Sequence, residues 1–64
     1  MKTRLIGSAP DIDQLIKLIE TKYFYSKIHL VEACGFFTVH NSDKKIEGFR
    51  VIKKGKRFRF ERFV

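Results

Sequence analysis

The chain has one cysteine, two histidines and no apolar run near the length of a membrane span. Each shortage removes a class of protein. Cys34 alone excludes an internal disulfide, and two histidines with one cysteine do not make a four-ligand zinc site. Met1-Lys2-Thr3-Arg4 carries the charge of a signal peptide's first region, but only Leu5 and Ile6 follow before Gly7-Ser8-Ala9-Pro10, short of the roughly 7 apolar residues such a segment needs. A glycine-rich phosphate loop, an HExxH helix and a serine elbow are all missing. The expectation is a soluble, cytoplasmic, non-enzymatic protein with no cofactor, and the lone cysteine is compatible with a reducing compartment.

Internal repeats, linkers and low-complexity stretches are missing as well, so the 64 residues read as one small domain. A chain this short buries roughly 60 % of the surface its unfolded form exposes. Its core is therefore marginal, and with disulfide and metal staples excluded, oligomerisation is the support left open. A homodimer is expected on that ground.

Positive charge is plentiful, and it is confined to one region. Residues 1–43 balance five bases (Lys2, Arg4, Lys17, Lys22, Lys27) against five acids (Asp11, Asp13, Glu20, Glu32, Asp43). From Lys44 onward nine bases meet only Glu47 and Glu61, so the whole net charge of +7 lies in the last third of the chain. Such a field attracts nucleic acid or acidic lipid and protein surfaces.

The basic region is not a solvating tail, because Ile46, Phe49, Val51, Ile52, Phe58, Phe60, Phe63 and Val64 interleave with the bases at a period near two. That pattern predicts strands over Ile46–Ile52 and Arg57–Phe63 around Lys53-Lys54-Gly55-Lys56, with Gly55 supplying a positive φ. A loop of residues 54–55 or 53–56 places Val51 opposite Phe58, Phe49 opposite Phe60 and Glu47 opposite Arg62. One face of this hairpin then carries Phe49, Val51, Phe58 and Phe60. On the other, Arg50 faces Arg59, a like-charge pair costing about 0.2–1 kcal/mol. Glu61 stands diagonally from Arg50 to relieve it, or the two guanidinium groups together hold an anion.

Upstream, Ser8-Ala9-Pro10-Asp11 reads as a helix start with Ser8 as N-cap and Pro10 in the first turn. Ile12, Leu15, Ile16, Ile19 and Tyr23 form one apolar stripe with Leu18 at its border. Asp11 and Asp13 complement the helix dipole and lack the partners of an acid–base dyad. Lys2–Ile6 is a short first strand. Residues 27–40 hold further strand material in which Gly35 marks either a turn or a bulge, and Asn41-Ser42-Asp43-Lys44 is a turn. His29, Cys34 and His40 meet only if the Gly35 segment folds back, and Cys34 reads as a small buried hydrophobe. Tyr23, Phe24 and Tyr25 cluster at the helix exit. The expected fold is α+β: a two-layer sandwich with one helix on one face of a mainly antiparallel sheet of four or five strands, in the order β-α-β-(β)-β-β.

One sheet face is left uncovered. Its expected occupants are Arg50, Arg57, Arg59, Ile46, Ile52 and Phe63, with Phe36, Thr38 and His40 if the third segment pairs in phase. Single-stranded nucleic acid is held in this way, phosphates on bases and nucleobases stacked on rings. The candidate nucleic-acid-binding residues are Arg50, Lys53, Lys54, Lys56, Arg57, Arg59 and Arg62, with DNA and RNA both open. Phe36, Ile46, Ile52 and Phe63 form the candidate stacking or dimer surface. A homodimeric protein-interaction module is the alternative reading.

In outline, the first 20 residues, a short strand containing "RLIG" and then a capped amphipathic helix, resemble very small phage- and plasmid-encoded proteins. The layout also resembles half of a ferredoxin-like or RNA-recognition domain without the second helix, and "GFFTVH" departs from that family's aromatic RNA-binding motif. Neither resemblance implies a role for any particular residue.

Overall fold

A computed structural model of the protein describes residues 2–24 and 26–64, with all side chains in that range except that of Phe24. Seven elements follow one another: β1 (Thr3–Ala9), α1 (Ile12–Ile19), β2 (His29–Ala33), β3 (Phe36–Asn41), the two-residue β4 (Lys44–Lys45), β5 (Phe49–Lys54) and β6 (Arg57–Phe63). A π-helical turn, Glu20–Phe24, prolongs α1. The strands form one antiparallel sheet in the order β1-β6-β5-β3-β2, with β4 paired to the end of β3. This is the expected α+β two-layer arrangement, with slightly more strands than foreseen. The extra count arises because residues 34–35 make a tight turn and residues 44–45 pair briefly with β3.

Gly35 marks that turn: Ala33 pairs with Phe36, and Gly35 takes φ +82°, which a residue with a Cβ adopts only under strain. Cys34 shares the turn and is exposed, contrary to its reading as a buried hydrophobe. Of the aromatic cluster at the helix exit, the Phe24 side chain and Tyr25 lie outside the described residues. Tyr23 crosses back over the sheet, its hydroxyl donating to the Ile6 carbonyl at 3.0 Å and its ring tilted against Phe60 at 5.5 Å.

The helix begins later than Ser8. A bulge between Leu5 and Gly7 lets β1 continue, pairing Ser8 with Arg59 and Ala9 with Phe58, so the strand takes the residues expected to cap the helix. Asp11 is the N-cap; its Oδ1 accepts from the Gln14 backbone N–H at 2.8 Å. Pro10 therefore precedes the cap. The apolar stripe behaves as its spacing requires: Leu15 and Ile19 are fully buried, and Ile16 and Leu18 pack beside them. Gly7 lies under the helix, where an added Cβ would come within 2.9 Å of Leu18 Cδ2.

Against this stripe the sheet presents Val39, Val51 and Phe60, all fully buried, bordered by Ala9 and Ile28. Phe49 stacks on Phe60 at 5.2 Å between ring centres, and Phe37 meets Phe58 edge-on at 6.5 Å. Ile46 also packs against this core, its N–H donating to the Val39 carbonyl at 2.8 Å. It does not belong to the open face expected for it. The cause is β4, which carries the chain alongside β3 and turns residue 46 inward before β5 begins.

Candidate nucleic-acid interface

The C-terminal hairpin forms, with a register two residues away from the expected one. Lys54 pairs with Arg57, Val51 with Phe60, Arg50 with Glu61 and Phe49 with Arg62. The loop is Gly55-Lys56, with Gly55 first at φ +64° as a type II′ turn requires. Because side chains alternate with period two, a two-residue slip keeps every side chain on its predicted face while changing every partner. Val51 opposite Phe58, Phe49 opposite Phe60 and Glu47 opposite Arg62 are thus all replaced.

This slip removes the expected clash of Arg50 with Arg59. Glu61 stands directly opposite Arg50 and two residues along the strand from Arg59. Glu61 Oε1 accepts from Arg50 Nε and Nη2, both at 2.8 Å, and its Oε2 accepts from Arg59 Nε at 2.9 Å. The Thr3 hydroxyl donates to Oε1 at 3.2 Å from the neighbouring strand. Glu61 is the buried charged residue of this face, only 5 % exposed. Burial pushes its pKa up, but the hydrogen bonds from Arg50, Thr3 and Arg59 and the charge of Arg50 outweigh that and hold it below the ordinary glutamate value. Arg50 and Arg59 thus clamp an internal carboxylate. The Arg50 guanidinium also lies 5.8 Å over the Phe63 ring.

The seven candidate bases do not share one surface. Alternation places Arg50, Lys54, Arg57 and Arg59 on the open face, and Lys53 and Arg62 on the helix side, paired with Phe58 and Phe49. The Lys53 ammonium stands 5.7 Å over the Phe58 ring, and Lys56 sits in the turn. Three bases do converge. Lys54, Arg57 and Arg59 line a cleft of about 140 Å³ with Leu5 and Ser8, and Arg57 Nη2 donates to Ser8 Oγ at 3.2 Å. The sequence reading missed Leu5 and Ser8, because their place beside β6 depends on the β1 bulge.

Farther along the sheet, Phe36, Phe49 and Phe63 line a second, larger hollow of about 350 Å³ together with Thr38, Lys45, Glu47 and Gly48. Ile52 pairs with Arg59 and is in the lining of neither concavity. His29 and His40 are brought opposite each other with ring centres 5.4 Å apart, while Cys34 sits at the far end of their hairpin. Among the described residues, no three His, Cys, Asp or Glu side chains cluster as a metal site would need.

In comparisons with known proteins, no family model, no curated sequence and no solved structure matches the chain. Among the described residues, no helix is long and apolar enough to cross a membrane.

Proposed function

We propose that this protein is a non-enzymatic accessory module that binds single-stranded nucleic acid across the open face of its sheet. The observation that carries this reading is the cleft of Lys54, Arg57 and Arg59, whose lining holds three cations and no carboxylate. Arg59 spends its Nε on Glu61, which fixes the side chain while its remaining guanidinium N–H groups stay available as donors. Phosphates are the fitting ligands, since guanidinium and ammonium donors side by side match their oxygens.

If these bases neutralise about three phosphates of a single strand, the affinity falls with a log–log salt slope of roughly −2, a loss of about 20-fold between 50 and 200 mM salt. Fluorescence anisotropy of a labelled oligonucleotide measures this. Replacing Lys54 and Arg57 with Gln flattens the slope, whereas replacing Lys17 and Lys22 on the helix leaves it unchanged. Equal effects from both pairs would reject the cleft, and no binding at about 50 mM salt would reject the reading.

A homodimeric interaction module is the second reading, favoured by the exposed Leu5 and Val31, 48 % and 42 % accessible, on the two outer strands of the sheet. Light scattering distinguishes it: a monomer at high micromolar concentration removes this alternative.

A further inference from the structure

The larger hollow combines aromatic rings with one cation and one carboxylate in its lining. We propose that it takes one unpaired guanine, an inference that rests on the single-strand reading above. Phe36 and Phe63 supply apolar ring surface in the hollow. Phe63 is held by a chain of contacts, for Glu61 fixes Arg50 and Arg50 lies over one face of the ring. At about 350 Å³ the space falls at the small end of the range for ligand pockets. Stacking on such rings favours every base, so it cannot by itself discriminate.

Discrimination comes from Lys45 and Glu47. They are two residues apart at the start of the segment leading into β5, both exposed and both in the lining of the hollow. Lys45 also pairs with His40, a residue of the open face. A carboxylate offers two acceptor oxygens side by side, and an ammonium offers only donors. Guanine is the base whose pairing edge sets two adjacent donors, N1–H and N2–H, beside one acceptor, O6. Glu47 accepts the first two and Lys45 donates to the third. Cytosine and adenine offer the carboxylate only one exocyclic amino group with a repelling ring nitrogen beside it. Thymine and uracil place their single N–H between two carbonyls, each of which repels Glu47. The neighbouring cleft of Lys54, Arg57 and Arg59 supplies the counter-charge for the strand's phosphates, which a hollow containing a glutamate needs if an anionic ligand is to approach.

The experiment compares two labelled oligonucleotides at about 50 mM salt, one of thymidine alone and one carrying a single central guanine. The guanine-containing strand is expected to bind tighter by about 5- to 150-fold, the range of one good bidentate base contact. Glu47→Gln and Lys45→Met are expected to abolish that gain while leaving thymidine-strand binding within a few-fold. Both residues are exposed, and unchanged thermal melting of each variant verifies that the fold is intact. In parallel, adding guanosine monophosphate is expected to shift the NMR signals of the Phe36 and Phe63 rings, and cytidine monophosphate to leave them. Equal affinity for the two oligonucleotides overturns the slot while leaving the backbone-binding reading standing. A guanine preference that survives both substitutions overturns it too. Failure of both strands to bind removes the backbone-binding reading and the slot with it.

Discussion

The two faces of the sheet are built on different physics. On the face under α1, burial is apolar throughout: Phe60, Val51 and Val39 meet Leu15 and Ile19, and none of these is accessible to solvent. On the other face the deeply buried side chain is a carboxylate, Glu61, enclosed by Arg50, Arg59 and Thr3. The first face is held by removal of apolar surface from water, which involves no titrating group. The second is held by charge-assisted hydrogen bonds, which depend on protonation. A small sheet that cannot cover both faces with helices has used an ion-pair network where a second helix would otherwise lie, and this leaves the cations around that network in contact with solvent.

The difference predicts unequal consequences when each centre is removed. Phe60→Ala opens a cavity where Phe49, Tyr23 and the helix stripe converge, and is expected to cost about 3–5 kcal/mol, most or all of the stability of a chain this short. Urea unfolding followed by circular dichroism measures it. A cost under about 1 kcal/mol would show that Phe60 is not the centre of the core.

Glu61→Gln keeps the shape and removes the charge. Hydrogen bonds to a charged group contribute about 1.5–3 kcal/mol, so a loss of that order is expected. The pH dependence separates this centre from the apolar one. Because the folded carboxyl titrates below its ordinary value, its stabilisation is complete above the ordinary glutamate range and is lost as pH falls through the lowered folded value. The wild-type chain should therefore lose stability on acidification more steeply than Glu61→Gln, while Phe60→Leu should keep the wild-type pH profile at reduced stability. Parallel acid profiles for wild type and Glu61→Gln would mean that the carboxyl titrates alike in the folded and unfolded chain, so that the network does not favour its ionised form.

How far these faces could be read from the sequence follows from what alternation encodes. Period two assigns Phe58, Phe60, Val51 and Phe49 to one side and Arg50, Arg57, Arg59 and Glu61 to the other, and the structure keeps each there. It is blind to slips of two, which is how Arg59 came to be set against Arg50. Two local signals favoured the true register. Gly55 is better placed first in a II′ loop than second in the 54–55 loop, and the slip converts a like-charge pair into Arg50 opposite Glu61. The helix stripe was legible for the same periodic reason. Its cap was not, since Ser8 and Asp11 are equally good caps by residue type and only the bulge near Leu5, which lets β1 run on to Ala9, decides between them. The clefts of the open face were the least legible, because Leu5, Ser8 and Lys45 reach them from strands, and Glu47 from the turn before β5, whose placement no local pattern specifies.

The smallest expected effect gives the sharpest comparison, because it sets two adjacent lysines against each other. Lys53 and Lys54 have the same charge, both are exposed, and they point to opposite faces of β5. Lys53 lies over Phe58 on the helix side, whereas Lys54 lines the cleft with Arg57 and Arg59. If nucleic acid were drawn only by the summed charge of the C-terminal third, Lys53→Gln and Lys54→Gln would weaken it equally. If it is seated on the open face, Lys54→Gln should flatten the salt slope by about 0.7, the share of one phosphate on a single strand. Lys53→Gln should leave the slope unchanged and instead lose about 0.5–1 kcal/mol of stability with its contact to the Phe58 ring. Titrations of both variants across one salt series, with urea unfolding of each, measure the two quantities independently. Equal slopes in the two variants would show that the field, rather than the face, does the binding.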